Sequence, residues 1–468
     1  MVYYESLFRE MLKGQQLRRP AMKKNEPAFF QRLEQAMDTH REKIRLNVLK
    51  PRWDDDVLDL TTSDFLSLSR TGRIREAFLA ELARCGDFRL SASGSRVQYG
   101  NYEYIVEVEH EIAAFHGADT AWICHSGFYA NIGILEAIAL PGDAIVFDEF
   151  SHASTGVGMK VSLAAHKLSF AHNSPNSLRD VLTSLKKLGS GFTTGEKSIL
   201  ICVESLYSME GDLCPLKELV AVAKEVFPNG SAQFIVDEAH SNGVIGPNGS
   251  GLVQLLGLEK EIAIRVHMCS KALGSTGGVI LCNQTVRSAL AQYSRCLTYS
   301  GAPSVPMVAS IRAGYQLLAS GQTQKEQNHI QEMVRYFFDS LLDDPIWQEA
   351  VDEGLISVPL AEDHEARSVV SHVVPIKVKP GHDFSLFVHL AMANMNAYPM
   401  AYPVVPKGTA LVRMLFHAHN TKEEVDRIIA AVGEWVEEML AIERGESKNV
   451  LPSAMRKFHA LQTANGWS

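Results

Sequence analysis

With 468 residues the chain exceeds what one ordinary hydrophobic core supports, so a large unit and a smaller one are expected. Hydrophobic residues at 46% and charged residues at 21% describe a folded globular protein and exclude a disordered one. A formal charge of -9 without a long basic run excludes nucleic acid as the expected partner, and no apolar stretch is long enough to span a bilayer.

Residues 1–60 read as a polar helical arm. Glu5, Arg9 and Glu10 interrupt any apolar core of a secretion signal. The basic cluster Arg18, Arg19, Lys23 and Lys24 reads as a solvated face or interface element. The run Asp54-Asp55-Asp56 marks a boundary. From 61 to 320 short apolar runs alternate with helical patterns. Strands are expected at 121–124, 144–147, 198–203, 234–236 and 279–281, with a helix at 216–226. This alternation argues for an α/β unit built on a mainly parallel sheet between helices. A helix at 324–342 leads into a smaller α+β unit over 321–445. That unit has strands at 371–377 and 410–415 and an amphipathic helix at 423–442, and residues 446–468 read as a tail. The 7 cysteines are scattered without CxxC spacing, which fits reduced thiols in a cytoplasmic setting, with neither a disulfide frame nor a metal site.

The chemistry begins with Gln233-Phe234-Ile235-Val236-Asp237-Glu238-Ala239-His240, an apolar run ending in a carboxylate with a histidine three residues on. In open α/β sheets ligands sit beyond the carboxyl ends of strands, which places Asp237 to meet one. Its purely structural use would be a helix cap. In His267-Met268-Cys269-Ser270-Lys271-Ala272-Leu273-Gly274 the lysine has small or apolar neighbours. It is either a loop lysine or an amine that desolvation turns into a nucleophile. Together Asp237 and Lys271 supply what pyridoxal 5'-phosphate (PLP) requires: an amine for its aldehyde and a carboxylate for its pyridine nitrogen. Cys124-His125-Ser126-Gly127-Phe128-Tyr129-Ala130-Asn131 follows a strand and opens a helix, whose free N–H groups suit a phosphate. Two further motifs follow strands: Asp148-Glu149-Phe150-Ser151-His152-Ala153-Ser154, and Glu204-Ser205-Leu206-Tyr207-Ser208-Met209-Glu210-Gly211-Asp212.

These motifs, in this order and spacing, resemble the α-oxoamine synthases over about residues 60–440. That family includes 8-amino-7-oxononanoate synthase, 5-aminolevulinate synthase, 2-amino-3-ketobutyrate CoA ligase and serine palmitoyltransferase. The resemblance implies a PLP-dependent transferase of fold type I. It also implies decarboxylative condensation of a small amino acid with an acyl thioester, on CoA or an acyl carrier protein, to an α-amino ketone, CO2 and free thiol. A homodimer with its site at the interface is implied as well. Residue by residue, Lys271 becomes the Schiff-base lysine and later moves protons at the α carbon. Asp237 pairs with the pyridinium, His240 and Ser208 lie near the ring hydroxyl, and His152 stacks on the ring. Ser126, Gly127, Phe128, Glu204, Ser270 and Ser300 complete the cofactor set. Arg413 receives the amino acid carboxylate, and Ser63 and Ser95 line the substrate site.

The sequence also departs from the family pattern. Met268 stands three residues before the lysine, where the family carries Ser or Thr for the phosphate. Thr298-Tyr299-Ser300-Gly301-Ala302 replaces a segment richer in hydroxyls. Ile105 stands where a histidine is usual after the glycine-rich segment, and Ser63-Asp64-Phe65-Leu66-Ser67 replaces Asn-x-Tyr-Leu-Gly. Ser95 matches a position where a threonine favours glycine as substrate, so alanine or serine is expected. The alternatives are another fold-type-I reaction, such as transamination, and a non-catalytic partner subunit.

Overall fold

The apolar runs pair into one sheet because each alternates large side chains toward two covered faces. The computed structural model describes residues 3–15, 26–41, 57–402 and 404–464. The basic cluster at 18–24 and the Asp54–Asp56 boundary lie outside the described residues. In chain order the strands are β1 (Leu58–Asp59), β2 (Thr120–Cys124), β3 (Ala144–Asp148), β4 (His166–Phe170), β5 (Ile199–Glu204), β6 (Ala232–Asp237), β7 (Ile264–Met268) and β8 (Gly278–Cys282). They continue with β9 (Ile356–Ser357), β10 (Val373–Val378), β11 (Met395–Asn396), β12 (Tyr398–Met400) and β13 (Leu411–Leu415).

The central sheet has seven strands in the order β2-β8-β7-β6-β5-β3-β4. Strands β3 to β7 run parallel, and β8 is antiparallel to both of its neighbours. This is the expected α/β fold with a mainly parallel sheet. Along β5, Ile201 and Val203 enter one core while Leu200 and Cys202 enter the other, so the sheet is buried on both faces. Helix Leu216–Val226 covers the first face with Leu216, Leu219 and Val220, and helix Gly127–Ile138 covers the second with Ala130, Ile134 and Leu135.

Two strands of the central sheet escaped the sequence reading. In β4 the run His166-Lys167-Leu168-Ser169-Phe170 is an edge strand with two exposed polar positions. In β7, Arg265 and His267 break the apolar run yet are buried, because they bond inward. The Arg265 guanidinium donates to the His116 carbonyl at 2.8 Å, and His267 Nε2 lies 3.0 Å from Glu238 Oε2.

The later residues build a four-stranded sheet, β12-β13-β10-β9, with β13 pairing antiparallel to β10 and β12. Helix Gln324–Leu342 contributes Phe337 and Phe338 to its core, and helix Lys422–Glu443 contributes Trp435. Thr421 and Glu424 close a capping box at the start of the latter helix. The short strand β1 pairs parallel with β11, and the Leu415 N–H donates to the Leu60 carbonyl at 2.8 Å.

The segment 446–468, read as a tail, requires correction. Ser453–Ala464 is a helix, and its Phe458 is buried against Phe8 of helix Tyr3–Gly14 and Phe384. Apolar residues at 454, 455, 458 and 461 recur at helical spacing and give that helix its buried stripe. Among the described residues no helix is long and apolar enough to cross a membrane.

Candidate active site

The carboxyl ends of β5 and β6 bring two acids side by side, since Glu204 and Asp237 are register partners. Lys271 sits in the turn between β7 and β8, where Gly274 donates its N–H to the Lys271 carbonyl at 2.8 Å. Lys271 Nζ lies 2.7 Å from His240 Nε2. Burial pushes the amine down to about 8, against the pull of Asp237 and Glu204, with Arg413 adding to the burial effect. Burial, then the charge of Lys271, holds His240 well below the usual histidine range. A neutral imidazole accepts at Nε2 from the ammonium and carries its proton on Nδ1. That Nδ1 is buried and has no partner among the described residues.

Asp237 is held by two donors. The Ala239 N–H donates to Oδ1 at 2.9 Å, and the Asn131 amide donates to Oδ2 at 2.7 Å. The same Asn131 amide donates to Ser154 Oγ at 2.9 Å, and Ser154 Oγ lies 2.7 Å from His152 Nδ1. A relay therefore joins Asp237 to His152, and it orients the imidazole at the head of helix Ala153–Val161. Burial, reinforced by the Asp237 charge, raises Glu204 to about 8.

Arg413 lies in β13 opposite Pro375 and Tyr398. It donates to the Ser208 carbonyl at 3.0 Å, and burial lowers it to about 10. Among the described residues it pairs with no carboxylate, so its fork remains available to one. The backbone of Ser208, rather than its hydroxyl, makes this contact.

Ser126 caps helix Gly127–Ile138 by accepting the Tyr129 N–H at 3.2 Å. Gly127 donates its N–H to Met268 Sδ at 3.2 Å. Met268 thus fills the space against the first turn of the helix, where a hydroxyl is expected from the family pattern. A Cβ on Gly278 would stand 2.6 Å from the Gly127 nitrogen, so only glycine lets β8 approach this turn. Phe128 meets His152 edge-on, with ring centres 6.2 Å apart.

The other expected residues join less directly. Ser300 donates its hydroxyl to the Cys296 carbonyl at 3.0 Å, and Ala302 donates its N–H to Gly94, beside Ser95. Ser63, Ser95 and Ser270 form no side-chain hydrogen bond among the described residues, and Ser270 is exposed. Asn131 and Ser154 stand in the sequence motifs with no role of their own, and the fold gives them one. Asn131 falls one helical turn after Gly127, a spacing that puts both on one face.

This set fits PLP: an amine of lowered pKa for the aldehyde, a carboxylate held by two donors for the ring nitrogen, and an unpartnered Nδ1 for a ring oxygen.

Comparison with known proteins gives the same picture. The model of the family described as aminotransferase class I and II matches residues 55–432. An aminoacyl transferase sphA of Aspergillus fumigatus is 46% identical over 456 residues, covering 97% of this chain and 97% of its own. The 8-amino-7-oxononanoate synthase of Emericella nidulans is 37% identical over 383 residues, covering 82% of this chain and 90% of its own. The solved Sphingomonas wittichii serine palmitoyltransferase shares the fold, with a TM-score of 0.68 at 24% identity over 85% of this chain and 89% of that one.

Proposed function

This chain belongs to the α-oxoamine synthases of the aminotransferase class I and II family, and on that premise we propose how its residues serve the reaction. It is a PLP-dependent acyltransferase that condenses an amino acid with an acyl thioester. We propose alanine or serine as the amino acid, because Ser95 leaves room for a side chain. The products are then an α-amino ketone, CO2 and the free thiol of CoA or of an acyl carrier protein. A homodimer working in the cytoplasm completes the reading, with Ser300 reaching the partner's phosphate.

When bound, PLP supplies a protonated pyridine ring that takes up electrons from the α carbon of the amino acid. Asp237 would hold the ring nitrogen protonated, and the Asn131 and Ala239 donors keep that carboxylate oriented. The Nδ1–H of His240 is available to the ring hydroxyl. His152 would lie against the ring, and the Asn131–Ser154 relay sets its orientation. Lys271, with an amine near neutrality, takes the α proton and returns it. Arg413 binds the substrate carboxylate through both arms of its guanidinium. The start of helix Gly127–Ile138 would receive the phosphate, while Met268, which accepts the Gly127 N–H, offers it no donor in place of the family hydroxyl.

One observation carries the reading: an amine lies 2.7 Å from a neutral imidazole and close to the Glu204–Asp237 pair, with an unpaired arginine beside them. Thiol release tests it, with alanine, serine and glycine offered in turn beside a series of acyl thioesters. The expected result is release with alanine or serine that Lys271→Ala abolishes. Formation of a 2-oxo acid without thiol release would contradict it and indicate transamination.

A further inference from the structure

His172, two residues beyond β4, belongs to none of the roles above, yet its ring is fully engaged. Its Nδ1 lies 2.9 Å from Asp148 Oδ1 and its Nε2 lies 2.9 Å from Asp212 Oδ2. Asp148 is fully buried at the end of β3, and the imidazole is only 16% exposed. Phe150 stacks on the ring at 4.4 Å, and Tyr207 meets it edge-on at 4.5 Å. A carboxylate faces each ring nitrogen, an arrangement that fits an imidazolium donating from both. Burial would lower its pKa, but the two aspartates raise it to about 10.

The two aspartates anchor different turns. Asp148 accepts the Phe150 and Asn173 N–H groups, and its own carbonyl accepts from Ser151, immediately before His152. Asp212 closes the turn 207–212, in which Tyr207 donates to the Asp212 carbonyl and Gly211 to the Tyr207 carbonyl. Ser208 of that turn holds Arg413.

We infer that His172 is a positioning residue: with Asn173, whose N–H and side-chain amide also donate to Asp148 and Asp212, it bridges the two aspartates and fixes the turn before His152 relative to the turn that holds Arg413. His152, proposed to lie on the cofactor ring, and Arg413, proposed to bind the substrate carboxylate, then keep their separation. This rests on the roles proposed above for His152 and Arg413, whereas the bridge itself does not.

The experiment compares the holoenzyme with His172→Gln and Asp212→Asn. It measures amino acid affinity from the visible absorbance of bound cofactor, PLP affinity by reconstitution, and the melting midpoint. Both variants are expected to weaken amino acid binding about tenfold or more, with PLP affinity within about twofold of the original. Asp212→Asn spares the buried Asp148, so it keeps the test valid should His172→Gln fold poorly. Unchanged amino acid affinity in a folded variant, even with a lowered melting midpoint, would reduce the bridge to a stabilising contact and overturn the inference. A parent protein that itself shows no bound-cofactor absorbance would fail the enzyme reading and the positioning role together. A normal parent with unaffected variants would fail the positioning role alone.

Discussion

Lys271 is a lysine whose proton is contested. Desolvation favours the neutral amine, while Asp237 and Glu204 favour the ammonium, and the balance falls at about 8 rather than the ordinary 10.5. The sign follows from linkage. Below about pH 8 the fold carries a buried ammonium at a cost. That cost is relieved as pH rises from the folded value toward the unfolded one, where the unfolded chain still binds the proton. The free amine is the form that attacks an aldehyde. The cofactor-free protein is therefore expected to combine with PLP at a rate that climbs to half its maximum near about pH 8. Rapid-mixing absorbance across a pH series measures this, and a midpoint near the ordinary lysine value would contradict the geometry. The sequence made Lys271, Asp237 and His240 legible as types in a pattern. It concealed their partners, since His240 reaches Lys271 only through the fold, and Asn131 reaches Asp237 from a different strand–helix unit. Ser63 and Ser270 show the converse, for they occupy motif positions of the family, Ser63 in place of its Asn, while their side chains bond to nothing among the described residues.

At the level of elements, the strands read correctly were those with unbroken apolar runs, such as β5, in which every residue is buried. Those missed carried polar residues, exposed on the edge strand β4 and internally bonded on β7. The helix Ser453–Ala464 was missed because its apolar stripe is thin and two basic residues, Arg456 and Lys457, divide it. Its packing is nonetheless specific. The Phe458 ring meets Phe8 at 5.1 Å and Phe384 at 5.3 Å, so the first and last described helices brace helix Asp383–Met392 together. Replacing Phe458 by alanine leaves a cavity in that small cluster and is expected to cost about 3 kcal/mol locally. Hydrogen exchange in Tyr3–Gly14 would report it as faster opening of that helix. Unaltered exchange there would mean that the N-terminal helix is held by other contacts.

At the level of the whole molecule, one sheet supplies Asp237, Glu204 and the turn bearing Lys271, and the later residues supply Arg413. The core is continuous across both, since the largest cluster joins Val203 and Val236 to Val373, Val412 and Trp435. The site therefore depends on the two sheets keeping their placement, which the Arg413–Ser208 bond and the Lys377–Glu210 ion pair span from the four-stranded sheet to the loop after β5. The central claim is that this arrangement binds PLP through Lys271 and recognises a small amino acid through Arg413. The most direct measurement is the visible spectrum of the purified protein while glycine, alanine and serine are titrated separately, repeated on Lys271→Ala. The account predicts a bound-cofactor absorbance that saturates with alanine or serine more readily than with glycine, and its loss in the variant. A protein without that absorbance even after PLP is added, and unresponsive to all three amino acids, would contradict it.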